Sequence, residues 1–220
     1  AQTARILLGS YPHAVLEGLL IGAYAVGAGQ CCLCVNVEYG EEIATVREAL
    51  GQLRQRGLLG EDILGSGFSC DIAVSDIPSA LVMGEETALI RFLEGKQPLP
   101  YLRFEYPAVK GLHGQPTLVN SAETLANVSA IFQRQPALTG GGSGAPTGAG
   151  TTKIVTLCGD MSGEAIVEVP LGTTIGALLE AVGERPLTEL GVKAVQFGGP
   201  TGAFFAGDSS APGAGAAPAT

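Results

Sequence analysis

The sequence predicts an α/β fold, with helices around a partly parallel sheet followed by a small β-grasp domain. Three observations carry this. Through Phe132, apolar residues at helical spacing alternate with short strand-like runs, the pattern of helices packed on a partly parallel sheet. A glycine-rich stretch at 139–151 then breaks the apolar pattern. Beyond it, the order strand, strand, helix, strand is that of a β-grasp module.

The elements follow in order. Residues 13–27 read as a buried helix, with Gly27 and Gly29 as its stop. Cys31–Val37 is an apolar run expected to form a strand buried on both faces. Glu41–Arg56 carries Ile43, Val46, Leu50 and Leu53 on one side and charges on the other, an amphipathic helix ended by Gly57. A turn at Gly65-Ser66-Gly67-Phe68 leads into a short strand, Cys70–Val74. Helices are expected at Glu85–Leu93 and Ser121–Phe132, with an irregular stretch between them containing Pro98, Pro100, Pro107 and Pro116. Asn120 and Glu123 have the spacing of a capping box for the second of these helices. After the glycine-rich stretch come strands at Lys153–Cys158 and Ala165–Val169, a helix at Thr174–Val182 and a strand at Val192–Phe197. The expected organisation is a partial α/β domain over 1–138, a linker or mobile loop over 139–151, the β-grasp domain over 152–205 and a disordered tail over 206–220.

Composition narrows the function classes. The 220 residues carry a net charge of −9, which argues against nucleic acid and anionic membranes as partners. The uncharged run from Gly18 to Val37 is long enough to span a bilayer, but its Gly27-Ala28-Gly29-Gln30 break makes it a helix, turn and strand, without membrane insertion. Five cysteines, an odd number without a disulfide framework, suggest a reducing compartment. On a strand, Cys32 and Cys34 point to one face and Cys31 to the other, so they read as small buried hydrophobes and no metal is expected. His13 and His113 read as hydrogen-bonded structural residues.

The most specific signal is Gly84-Glu85-Glu86-Thr87, closed by Glu94-Gly95, with Gly114-Gln115-Pro116-Thr117-Leu118-Val119-Asn120-Ser121 further on. Glycine lets a ligand approach the backbone, and carboxylates in a first helical turn suit its positive end. Together with Tyr11-Pro12-His13, Glu17-Gly18 and Glu38-Tyr39, these motifs resemble the flavoprotein subunit of NADH:quinone oxidoreductase (complex I). They are similar also to the diaphorase subunits of NAD-reducing hydrogenases and NAD-dependent formate dehydrogenases. The match runs from Tyr11 to Phe132, with a weaker one at 152–205 to the family's soluble-ligand-binding β-grasp domain.

The resemblance implies a flavoprotein-subunit-like core that passes hydride from NADH to FMN, then electrons to iron–sulfur partner subunits. It implies cofactor contacts from Gly84, Glu85, Glu86, Thr117, Asn120 and Ser121, with Ser121 standing where the family has a second asparagine. No residue is assigned a catalytic acid–base role. The family's glycine-rich flavin-phosphate loop would lie upstream of residue 1 and its four-cysteine motif downstream. Without that loop the chain alone is expected to hold FMN weakly and to be incomplete for catalysis. The alternative expectation is a divergent, non-catalytic structural subunit of such a complex. The implied location is cytoplasmic, or peripheral to a membrane on the cytoplasmic or matrix side.

Overall fold

A computed structural model describes residues 2–102, 105–133, 152–161, 163–182 and 193–206. The chain divides into two compact units, residues 3–139 and 140–220.

The first unit begins with two helices, α1 (Gln2–Ser10) and α2 (Pro12–Val26). Pro12 at the first turn of α2 gives up an N–H that has no helical partner there. Gly27, in the left-handed conformation, ends α2 as its position in the sequence predicts. Strand β1 (Gln30–Asn36) runs parallel to β2 (Asp71–Ile77), with Cys31 opposite Ile72 and Leu33 opposite Val74. The amphipathic helix α3 (Gly40–Gln55) connects them, burying Ile43, Val46 and Leu50. Two ion pairs fasten α3 to β2: Arg54 to Asp71 at 2.9 Å and Arg47 to Asp76 at 3.3 Å. Arg5 on α1 reaches Glu42 on α3 at 2.8 Å and lies over the Tyr39 ring. Helices α4 (Glu86–Leu93) and α5 (Ala122–Gln133) complete the unit.

Helix α5 packs chiefly on α2, and one residue explains how closely. A Cβ on Gly18 would lie 1.8 Å from the Leu125 carbonyl oxygen, so only glycine admits the α5 backbone here. One residue earlier, Glu17 accepts hydrogen bonds from Ser129 and, at 3.0 Å, from Gln133. The apolar core around this crossing includes Val15, Leu16 and Leu125, with Ser129 fully enclosed.

The second unit contains the antiparallel pair β3 (Thr152–Leu157) and β4 (Ala165–Pro170), then helix α6 (Ile175–Ala181). Thr174 caps α6 by accepting the Ala177 N–H at 3.3 Å. A second antiparallel pair, β5 (Ala194–Phe197) and β6 (Ala203–Ala206), follows. Among the described residues no ladder joins the two pairs.

Several expectations change. Helix α1 and strand β6 have no counterpart in the sequence pattern, and β2 extends to Ile77 rather than stopping at Val74. Strand β1 is buried on one face only: Leu33 and Val35 are enclosed while Cys32 is exposed, because β2 places only Ala73 and Ser75 beside the outer cysteines. The stretch 139–151 and residues 207–220 lie outside the described residues, while Ala206 closes β6. Among the described residues no single helix is long and apolar enough to cross a membrane.

Candidate functional site

The Gly84–Glu94 motif is built around α4. A short 3-10 turn, Leu81–Gly84, delivers the chain to Glu85, which is extended and caps the helix. The Glu85 carboxylate accepts the Ala88 N–H at 2.9 Å and the Thr87 hydroxyl. Thr87 is fully buried, and its oxygen also accepts the Tyr101 N–H at 3.2 Å. The first turn of α4 is therefore tied to the irregular segment that follows the helix. Glu86 is half-buried, and Gly84 is exposed with nothing within 4 Å of the Cβ it lacks.

The far end of α4 is tied down as well. Glu94 accepts the His113 N–H at 2.9 Å and pairs with Lys96 at 2.6 Å. Lys96 first, and the His113 N–H second, hold the Glu94 carboxyl below the usual carboxylate range. Within the following turn, Thr117 Oγ1 accepts the Leu112 N–H at 2.9 Å and donates to the Gln115 carbonyl at 2.9 Å. The Thr117 N–H donates to the Pro107 carbonyl at 2.8 Å. Gly111 is crossed so closely that a Cβ there would lie 2.5 Å from the Thr117 Cβ.

The start of α5 corrects the expected capping box. Ser121, not Asn120, accepts the Thr124 N–H, at 3.2 Å, and its carbonyl takes the Leu125 N–H at 3.1 Å. The helix begins one residue later than the Asn120–Glu123 spacing requires, since the buried Leu125 fixes its phase against α2. Asn120 is left exposed just before the cap.

The six expected cofactor residues thus separate by role. Glu85, Thr117 and Ser121 are engaged by backbone N–H groups of their own chain. Gly84, Glu86 and Asn120 form the part of the motif with open or half-open surface. The bonds that fix Thr117 run within the Pro107–Thr117 turn, and those that fix Ser121 run within α5. Sequence reasoning misses Thr87, Glu94 and Gly111 as positioning residues. A threonine directly after paired glutamates at a helix start, and a glycine three residues before Gly114, are the signals that could have found them. His13 meets the structural expectation, with its Nε2 3.0 Å from Gln52 Oε1. A cavity of ≈ 370 Å³ beside it, lined by Gln52, Leu53, Arg56 and Leu58, contains none of the six residues. Among the described residues no group of three or more His, Cys, Asp or Glu side chains could hold a metal ion.

Comparison with known proteins places these motifs. The family described as the Nuo51 FMN-binding domain matches residues 1–130. The chain is 39% identical over 206 residues to the NADP-reducing hydrogenase subunit HndC of Solidesulfovibrio fructosivorans, covering 92% of this chain and 41% of that protein. It is 36% identical over 194 residues to an NADH-quinone oxidoreductase subunit of Aquifex aeolicus, covering 87% of this chain and 44% of that protein. Among solved structures, an NAD+-reducing NiFe-hydrogenase in the H2-reduced state superposes with a TM-score of 0.76 at 30% identity. That match covers 94% of this chain and 34% of the other. The chain spans less than half the length of these relatives.

Proposed function

Because the chain belongs to the Nuo51 FMN-binding domain family, we propose that it is a flavoprotein-subunit component of an NAD-dependent redox complex. One observation carries the reading: an open glycine backbone, Gly84, beside the half-buried Glu86 at the start of a capped helix. Gly84 would admit a flat ring against the backbone. Glu86 would accept hydrogen bonds from ribose hydroxyls or a carboxamide, and Asn120 could both donate and accept. Glu85 and Thr87 hold that wall in shape.

These groups fit the ring edge and ribose of FMN or NADH. The six include no cation, so a phosphate at this wall would depend on backbone N–H groups. A site lacking several charge-assisted N–H bonds to phosphate, each worth ~1.5–3 kcal/mol, would bind with an affinity of micromolar order rather than nanomolar. Bound FMN would supply the redox chemistry, accepting hydride from NADH and releasing single electrons to iron–sulfur partners. The contribution of this chain is orientation and polarity at the ring edge. The second unit is read as the soluble-ligand-binding β-grasp module, on the order of β3, β4, α6 and β5.

A second reading, a structural subunit that binds no flavin, is favoured by the internal bonding of Glu85, Thr117 and Ser121. Visible absorbance separates the two. A chain that stays yellow after FMN addition and removal of unbound flavin, and then bleaches with NADH, supports the flavoprotein reading. A colourless chain showing no FMN uptake at high protein concentration contradicts it.

A further inference from the structure

The cysteines expected to be small buried hydrophobes form two thiol pairs that differ in access. On the inner face of β1, Cys31 Sγ lies 3.7 Å from Cys70 Sγ, and Cys70 is 1% exposed. Burial first, and the Cys70 thiol second, push Cys31 up to about 12, so this pair stays protonated. On the outer face, Cys32 Sγ lies 3.8 Å from Cys34 Sγ. Cys32 is exposed and Cys34 half-buried, and their register neighbours Ala73 and Ser75 are too small to cover them.

The outer separation has a chemical meaning. A tetrahedral zinc ion with Zn–S bonds of ~2.3 Å spans ~3.8 Å between two of its sulfur ligands. We propose that Cys32 and Cys34 form a two-thiolate chelating site for one thiophilic, tetrahedral divalent cation of the zinc type. Binding forms two metal–sulfur bonds and releases to solvent the Cys34 proton and any proton on Cys32; nothing is oxidised. A disulfide fits less well. Residues two apart on a strand have Cα atoms ~6.6 Å apart, near the upper limit for a bridge, and the sulfurs would have to close from 3.8 Å to ~2.05 Å. With no third protein ligand among the described residues, water or a small thiol completes the shell and the ion remains exchangeable.

The test uses the reduced 220-residue chain with Co2+ alone as probe, followed by Zn2+. The expected result is one Co2+ per chain with thiolate-to-cobalt charge-transfer absorption, displaced by Zn2+. Cys32→Ser and Cys34→Ser should each weaken Zn2+ binding at least ~10–100-fold, the loss that even an outer-shell partner's removal causes. Cys31→Ser and Cys158→Ser should bind as the parent does. Unchanged binding in Cys32→Ser or Cys34→Ser, loss in Cys31→Ser, or one ion per two chains would each overturn the proposal. Alkylation of the unmodified chain gives a readout that does not depend on any variant folding. Zn2+ should protect Cys32 from iodoacetamide while the exposed Cys158 stays reactive, and an unprotected Cys32 defeats the assignment.

Discussion

Replacing Gly18 with alanine is a sharp test of how the first unit is held together. In an open helix interior this change stabilises by about 1 kcal/mol through helix propensity. Here the new Cβ would sit 1.8 Å from the Leu125 oxygen and 2.5 Å from its carbonyl carbon. Both are backbone atoms, so no side-chain rotation relieves the overlap, and α5 must move away from α2. Overpacking of this kind costs ~1–3 kcal/mol or more. The shift also strains the Ser129 and Gln133 hydrogen bonds to the Glu17 carboxylate, each worth ~1.5–3 kcal/mol when lost. After subtracting the propensity gain, the net destabilisation is about 2–4 kcal/mol. Gly22, one turn on, has nothing within 4 Å of its absent Cβ and provides the control. Gly22→Ala should raise the urea midpoint of the helical circular-dichroism signal, and Gly18→Ala should lower it. A Gly18→Ala chain as stable as its parent would refute the packing argument.

Other consequences follow from the bonds around the motif. Ser121→Ala should cost about 1 kcal/mol in urea unfolding, and Asn120→Ala less than ~0.5 kcal/mol, because Ser121 holds the α5 cap. The reverse ranking would restore Asn120 as the cap. Thr87→Val keeps the buried shape but removes the acceptor of the Tyr101 N–H, so ~1 kcal/mol of stability and the exchange protection of that amide should be lost. Unaltered Tyr101 protection in this variant would contradict the Thr87 link. Glu94 is held low by Lys96 and the His113 N–H, so its folded value lies below its unfolded one. Its stabilising contribution is complete above the unfolded value of ~4.3 and is lost as pH falls through the lower folded value. The His113 amide resonance should report a titration below ~4.3 that vanishes in Glu94→Gln. An inflection at or above ~4.3 would count against the latch.

The parts of this fold written in local pattern were legible. Helix α3 has its apolar residues at Ile43, Val46 and Leu50 and buries them, and α2 stops at the glycine that marks its end. What the sequence left open depends on contacts distant in the chain. Helix α1 has only Leu7 and Leu8 buried and is fastened by Arg5 to a glutamate on α3, which no local spacing reveals. An apolar run such as Cys31–Val35 does not disclose whether both of its faces will be covered, and here one is open. Asn120 and Ser121 are both good caps, and the packing of Leu125 selects the serine. In the candidate site the residue types were readable, but their division into framework and open surface was not. That division rests on Thr87, Glu94 and Gly111, whose partners lie 14, 19 and 6 residues away respectively.

The central claim is that Gly84 and Glu86 present the ligand-facing wall while Glu85 and Thr87 support it. Titration of FMN into the chain, read by quenching of flavin fluorescence, tests this directly when the parent is compared with Glu86→Gln. The account expects saturable binding with a Kd of roughly micromolar order. It expects Glu86→Gln to weaken that binding about 10-fold or more, the loss of one charge-assisted hydrogen bond. Absence of saturable binding in the parent, or equal affinity in Glu86→Gln, would contradict it.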